Sequence, residues 1–172
     1  YILLEKGDLI SERTAQRMKK ALNLAARCCI RRNVGLDYTN VISMSCLTTM
    51  IIGEITGDDE LREFGKRELG EFVEYTRESG GFSEYNSPCY FKVVGDSVGR
   101  ILKYCRDEEC RSMAEELNRC LWEMVSTHYS AEFNELAPPF VRAYYDTDVE
   151  FEKAGRKLRS ISRHLIRECL MK

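Results

Sequence analysis

Two helices and the break between them can be recognised in residues 40–77, which read NVISMSCLTTMIIGEITGDDELREFGKRELGEFVEYTR. Residues 40–55 are apolar on most sides, as expected of a helix that is buried all round. Gly57 supplies a stop signal, and the acidic run at residues 58–60 is favourable in the first turn of a following helix. That second helix is amphipathic. The pattern therefore predicts a helical hairpin with an inner and an outer helix.

The same pattern of an inner and then an outer helix occurs again further along the chain. Residues 87–104 are largely apolar, residues 106–109 form a charged break, and residues 110–129 are amphipathic. The run DYTN begins at residue 37 and the similar run EYNS begins at residue 84, a separation of 47 positions. A period of about 48 residues is typical of stacked helical hairpins, because each hairpin needs its neighbours to bury its apolar face.

Further helices are predicted on both sides of this repeat. Residues 14–29 carry an apolar stripe at three- and four-residue steps, and a last helix is expected over residues 149–169. Pro138 and Pro139 interrupt the chain before that last helix. No segment has the pattern of a β-strand of any length. The predicted fold class is all-α, with repeated helical hairpins arranged in an arc.

The composition is that of one globular domain spanning residues 1–172, since 44% of the residues are hydrophobic and 31% are charged. A net charge of -2 provides no global field for nucleic acid or an anionic membrane. No apolar run reaches the roughly 18 to 20 residues that span a bilayer. We therefore expect neither nucleic acid nor a membrane as partner. Because the sequence starts with Tyr1 rather than Met, we interpret the start as a cut and the chain as a fragment of a larger protein.

The eight cysteines include no C-x-x-C pair, so the sequence suggests neither a zinc ribbon nor a thioredoxin-type redox pair. Cys28, Cys46, Cys110 and Cys120 stand among apolar residues of helical segments, where a thiol behaves as a small buried hydrophobe. We expect these four to be buried and reduced, and the protein to be cytoplasmic. The alternative is an exported protein with disulfides. We expect no cofactor and no metal.

The densest group of polar and aromatic residues is the run GGFSEYNSPCY at residues 80–90. Helix capping can account for Asn86 and Ser87, with a proline following in the first turn. Capping leaves Glu84, Tyr85 and Tyr90 unexplained. Such residues on a loop are more often functional than structural.

Two more polar and aromatic groups follow along the chain. His128 and Tyr129 end the second outer helix, where they could exchange protons near neutral pH. A histidine is also favoured at a helix C-terminus by the helix dipole alone. The third group is the run RAYYD at residues 142–146.

If successive hairpins stack side by side, the loops at one end of the stack come together. We define the rim as residues 37–40, 84–90, 128–129 and 142–146. Tyrosine rings stack on the apolar faces of sugars, and polar side chains hold sugar hydroxyls. The rim therefore suits an oligo- or polysaccharide, and it suits a peptide equally well.

The rim resembles that of an uncharacterised group of bacterial and fungal proteins with an E-Y-N-S-P-T-Y motif. The likeness rests on YTN at residue 38, EYNSPCY at residue 84, HY at residue 128 and RAY at residue 142, in that order and at similar spacing. Cys89 stands where the group has Thr. Residues 138–141 stand where it has Gly-Pro-His-Ser. The alternation of helices further resembles the α/α-toroid, or six-hairpin, architecture of many glycoside hydrolases and polysaccharide lyases, which implies that the chain forms part of such a toroid.

This resemblance implies a carbohydrate-active enzyme, either lyase-like or hydrolase-like. In toroidal lyases an Asn or Arg neutralises the uronate carboxylate, while a Tyr or His removes the α-proton. A glycosidase needs two carboxyl groups, for which Glu84 with Asp37 or Asp146 are the candidates. The candidate catalytic residues are Glu84, Tyr85, His128 and Tyr129, and the candidate substrate-binding residues are Asp37, Tyr38, Asn40, Asn86, Tyr90, Arg142 and Tyr144. The alternative is a non-catalytic helical-repeat module that binds a peptide or protein partner through the same rim.

Overall fold

The computed structural model of the chain describes residues 2–87 and 89–142. Its helices are α1 (Ile2–Glu5), a 3-10 turn (Gly7–Leu9), α2 (Glu12–Arg32), α3 (Thr39–Thr56), α4 (Asp59–Glu78), α5 (Tyr90–Tyr104) and α6 (Glu108–His128). Two short strands, β1 (Tyr129–Ser130) and β2 (Glu135–Leu136), pair in an antiparallel hairpin. The predicted all-α class is confirmed. The small hairpin after α6 is an addition that the sequence did not indicate.

The helices form two layers. Inner helices α3 and α5 pack against each other, α2 and α4 pack against α3, and α6 packs against α4 and α5. A Cβ atom added at Gly53 would lie 2.6 Å from the Cγ of Arg62, and one added at Gly65 would lie 2.6 Å from the Cγ of Met50. The contact partner of the later residue in α4 lies earlier in α3, so the two helices run antiparallel. The predicted pairing of inner and outer helices is therefore confirmed for this hairpin.

The core lies between the layers, as the apolar patterns predicted. Its fully buried side chains come from both inner and both outer helices: Ile42 from α3, Leu69 and Phe72 from α4, Val94, Val98 and Ile101 from α5, and Leu117 from α6. A smaller apolar cluster joins Ala26 of α2 to Ile52 and Leu61. Each buried aliphatic or aromatic side chain contributes about 1.5 to 3 kcal/mol through removal from water. This shared burial orients the loops at both ends of the layers.

At one end of the layers, α3 and α4 are joined by a short turn that matches the sequence signals. Gly57 adopts a left-handed conformation with φ 69°, which a glycine reaches without strain. Asp58 then caps α4 by accepting a hydrogen bond from the backbone N–H of Leu61 at 3.2 Å. Asp107 does the same for α6, accepting from the N–H of Glu109 at 2.9 Å. We call this end, with its turns at residues 57–58 and 105–107, the turn end.

Three sequence predictions need correction. Helix α5 begins at Tyr90 rather than at residue 87, because residues 85–86 form a turn in which Asn86 has φ 48°. Cys28 is exposed, since it lies on the outer face of α2, and Cys120 is only partly buried. Cys46 and Cys110 are buried as predicted. The helix expected over residues 149–169, with Tyr144 and Asp146 before it, lies outside the described residues.

Within the described part of the chain, no helix combines the length and the apolar character needed to cross a bilayer.

Candidate functional site

The rim lies at the end of the layers opposite the turn end, and backbone and side-chain contacts tie its segments together. The start of α3 contacts the loop before α5, and this loop also contacts the C-terminus of α6 and the segment after β2. Residues more than 40 positions apart in sequence are thereby brought within hydrogen-bond distance. The stacking of hairpins explains this closeness, because residues 37–40, 84–90 and 128–129 each begin or end a helix at this end of the layers.

Glu84 is the buried centre of one half of the rim. Its side chain is only 4% exposed, and Oε2 accepts a hydrogen bond from the backbone N–H of Asn40 at 2.9 Å. The backbone N–H of Glu84 in turn donates to Oγ1 of Thr39 at 3.4 Å. Nη1 of Arg142 lies 3.2 Å from Oε1 and balances the charge. Glu84 thus joins the first turn of α3 to the segment after β2.

Asn86 fixes a second contact of the same loop. Its side chain is fully buried, and Nδ2 donates to the carbonyl oxygens of Ala137 at 2.8 Å and Pro139 at 2.9 Å. The left-handed backbone at Asn86 is one that asparagine tolerates better than most residues. Asn86 is therefore a clamp on residues 137–139 and not the helix cap that the sequence suggested. Ser87 keeps a capping contact, since its Oγ accepts from the N–H of Tyr90 at 3.4 Å.

Tyr85 and His128 form a hydrogen-bonded pair. The Tyr85 hydroxyl lies 2.6 Å from Nε2 of His128, and the two rings meet edge to face with centroids 5.0 Å apart. Nδ1 of His128 lies 2.8 Å from the carbonyl oxygen of Met124. Because a carbonyl can only accept, Nδ1 carries the proton in the neutral imidazole and Nε2 accepts from the tyrosine. The phenol, which belongs to a side chain that is 40% exposed, therefore stands beside an oriented base.

Arg142 places a cation between Glu84 and the Tyr38 ring. Its backbone has φ 56°, and its guanidinium lies 4.9 Å from the centroid of the Tyr38 ring. The neighbouring Val141 donates its backbone N–H to the carbonyl oxygen of Tyr85 at 3.1 Å. Arg142 is thus held between Tyr38 and Glu84, with 42% of its side chain exposed. An anionic group that reached the rim would meet this charge.

Two acceptor atoms of the rim are buried and accept no hydrogen bond from residues 2–87 or 89–142. They are Oδ1 of Asn40 and Oδ1 of Asn86. A buried acceptor without a donor is costly, so each of these atoms favours a bound hydroxyl or water. The rim can therefore accept hydrogen bonds and can present a cation and a phenol–imidazole pair.

Other predicted site residues have different surroundings. The Tyr129 hydroxyl donates to Oδ1 of Asn134 across the β-hairpin, although His128 stands next to it in sequence. Asp37 is exposed, and its carboxylate lies beside Gly35 in the turn before α3. Tyr90 opens α5 and is partly buried. Tyr144 lies outside the described residues.

The sequence did not reveal the backbone groups that complete the rim. They comprise two N–H groups, at residues 40 and 141, and three carbonyl groups, at residues 124, 137 and 139. A backbone group leaves no signature in the sequence. Only Thr39, which lies within the repeated DYTN run, could have been added from the pattern. Among the described side chains, no cluster of His, Cys, Asp and Glu is arranged to hold a metal ion.

Comparison with known proteins identifies a family and no activity. No curated protein and no solved structure matches the chain. A family model described as "Domain of unknown function (DUF8769)" matches residues 1–157. The match includes both helical hairpins and every rim segment described above. The chain therefore belongs to the DUF8769 family.

Proposed function

We propose that the rim is the site of a carbohydrate-active enzyme of the polysaccharide lyase type, acting on a polymer that contains uronate sugars. The observation that carries the proposal is the hydrogen bond between the Tyr85 hydroxyl and Nε2 of His128, with Arg142 in the adjoining segment. The resemblance of the repeated sequence pattern to that of α/α-toroid enzymes also supports the proposal. In that architecture the chain would supply an arc of the toroid and one side of its central cleft.

The chemistry assigned to each group follows from its position. His128 accepts the phenolic proton of Tyr85, and the resulting phenolate removes the proton on the carbon next to the uronate carboxylate. Arg142 neutralises the carboxylate, which stabilises the negative charge that develops on it. The glycosidic oxygen on the next carbon then leaves and takes from Tyr85 the proton that was removed from the sugar, after which His128 returns its proton to Tyr85. The products are a shortened chain and a sugar with a new C=C bond, so no water is consumed.

Elimination is favoured over hydrolysis because of the surroundings of Glu84. Its oxygens face the N–H of Asn40 and the guanidinium of Arg142, and its side chain is 4% exposed. A glycosidase requires two carboxyl groups about 5 to 10 Å apart on either side of the scissile bond. Asp37, which is the candidate for the second carboxyl group among the described residues, lies in a turn beside Gly35. Glu84 is therefore better suited to positioning Arg142 than to acting as an acid or a base.

The test compares two tyrosines on the same rim. The full chain is incubated with uronate-containing polymers and with neutral polysaccharides, and the ultraviolet absorbance of the unsaturated product is followed. Tyr85→Phe and His128→Gln should each abolish product formation. Tyr129→Phe, whose hydroxyl bonds only to Asn134 among described residues, should leave it nearly unchanged. Wild-type activity that survives in Tyr85→Phe, with circular dichroism unchanged, would refute the assignment.

A second candidate is the non-catalytic module that binds a peptide or protein partner. It is favoured by exposed apolar side chains in and beside the β-hairpin, with Phe133 71% exposed and Tyr129 47% exposed. Peptide selection by phage display on the wild-type protein, with counter-selection on Phe133→Ala, tests this candidate. Peptides that require Phe133 but tolerate Tyr85→Phe, together with no turnover of any polymer, would replace the lyase by the binding module.

A further inference from the structure

The turn end of the layers contains a cleft of about 350 Å³ whose wall includes two cysteines. Cys105 follows the last residue of α5, and Cys110 lies in the first turn of α6. Glu54, Lys66 and Asp107 line the same cleft. The two cysteines are five positions apart in sequence, and the turn between α5 and α6 brings them to one wall.

The two thiols interact with each other and with a carboxylate. Cys105 and Cys110 lie on the same wall of the cleft, and Sγ of Cys105 lies 3.4 Å from Oε1 of Glu54. The neighbouring Cys110 thiol lowers the pKa of Cys105, while burial and the Glu54 carboxylate act in the opposite direction. The same interaction, together with burial, raises the pKa of Cys110. The pair thus has one thiol that ionises early and one that holds its proton, as in a reactive dithiol.

We propose that Cys105 and Cys110 form a thiol–disulfide exchange site that is reached through this cleft and takes a low-molecular-weight disulfide as substrate. The position of both thiols on the cleft wall carries the inference. Lys66 adds a cation to the wall, ion-paired with Asp107 at 2.9 Å. The site lies at the end of the layers opposite the rim and does not depend on the function proposed there.

The exchange proceeds in two balanced steps. The Cys105 thiolate attacks one sulfur of the substrate disulfide, whose S–S bond breaks and releases the first thiol, so that a mixed disulfide remains on Cys105. Cys110 then gives up its proton and attacks the Cys105 sulfur, which releases the second thiol. The two protein sulfurs close to about 2.05 Å and lose two electrons. The substrate disulfide gains these electrons, and the two protons from the cysteines end on the two released thiols.

Oxidised glutathione serves as the probe of this site. The reduced full chain is incubated with it, quenched with acid, alkylated, digested and analysed by mass spectrometry. Wild-type protein should yield a Cys105–Cys110 disulfide before any other linkage. Cys110→Ser should instead accumulate glutathione on Cys105, because the second step is blocked. Cys105→Ser should slow glutathione attachment at Cys110 by at least about tenfold relative to Cys105 in Cys110→Ser.

Cys120→Ser is the matched control, since Cys120 lines a separate cleft between α4 and α6 and has no cysteine beside it among those described. This variant should form the Cys105–Cys110 disulfide at the wild-type rate. If Cys105→Ser does not fold, Cys110→Ser and the wild type still decide the question. A wild-type protein in which Cys105 and Cys110 stay reduced while exposed Cys28 reacts, or a folded Cys110→Ser without glutathione on Cys105, would overturn the proposal.

Discussion

Glu84 at the rim and Glu68 between α3 and α4 are buried to almost the same degree, 3% and 5% exposed, in different surroundings. Glu84 receives a backbone N–H from Asn40 and faces the cation of Arg142. Glu68 receives the thiol of Cys46 at 3.8 Å, and its Oε1 accepts no hydrogen bond from residues 2–87 or 89–142. Burial raises the pKa of Glu68.

The difference shows how the two regions are stabilised. The interface of α3 and α4 is stabilised by apolar burial. A carboxylate buried there lowers the stability of the fold, and the apolar contacts around it offset this loss. The rim has loops in place of helices, and its buried polar groups supply the contacts that apolar packing supplies elsewhere. Removing a polar group should therefore weaken the protein at the rim and strengthen it at the helix interface.

The largest effect is expected from Asn86→Ala. Alanine cannot donate to the carbonyls of Ala137 and Pro139, and it tolerates the left-handed backbone less well. The free energy of unfolding should fall by about 3 kcal/mol in chemical denaturation. Asn33→Ala is the matched control, because Asn33 has φ 41° but is exposed, and it should cost about 1 kcal/mol. Equal losses in the two variants would show that the amide clamp contributes nothing.

A smaller loss is expected from Glu84→Gln. The change keeps the shape of the side chain but removes its charge, so the interaction with Arg142 is lost while the N–H of Asn40 keeps an acceptor. We expect a decrease of about 2 kcal/mol in the free energy of unfolding, as for a buried charge-assisted contact. Glu116→Gln, which breaks the surface pair with Arg77, should cost below about 1 kcal/mol. A neutral Glu84→Gln would show that the contact with Arg142 does not contribute to stability.

The two ends of the layers differ in how far the sequence predicted them. At the turn end, Gly57 and Asp58 have the conformations and contacts that their residue types indicate, because stop and cap signals act within four residues. The hairpin order and the core positions also followed from local periodicity. At the rim, Asn86 looked like a cap because its partners stand about 50 residues away and are backbone carbonyls. Its role depends on tertiary structure and has no local signature.

The cysteines show the same limit of local sequence patterns. Apolar neighbours in sequence predicted burial correctly for Cys46 and Cys110 but not for Cys28, which lies on the outer face of α2. A five-residue spacing gives no redox motif, yet the turn after α5 brings Cys105 and Cys110 together. Periodicity identifies a helix and its apolar face. It does not identify which side chains meet across a turn.

The smallest effect, and one of opposite sign, is expected from Glu68→Gln. Removing a buried carboxylate that lacks a cation should raise the free energy of unfolding by about 1 kcal/mol near neutral pH. Glu71→Gln provides the control on the same helix, since the Glu71 side chain is exposed and lies 4.0 Å from Arg67, and this variant should be nearly neutral. A lower free energy of unfolding in Glu68→Gln would mean that the residues around Glu68 stabilise its carboxylate.

The pH dependence of the stability gained in Glu68→Gln shows whether the gain comes from the lost charge or from packing. Below the ordinary pKa of an unfolded glutamate, about 4.3, Glu68 is protonated in both states, so glutamine has no electrostatic advantage. Because burial raises the pKa of folded Glu68, the unfolded chain releases its proton first as the pH rises. The stability of the wild type falls by this contribution until the pH passes the folded pKa, and is then constant. The difference between Glu68→Gln and wild type should therefore grow from near zero at pH values below the unfolded pKa to its full size at pH values above the folded pKa. A gain of the same size in both pH ranges would assign it to packing around Cys46, and the contrast with Glu84 would then concern shape instead of charge.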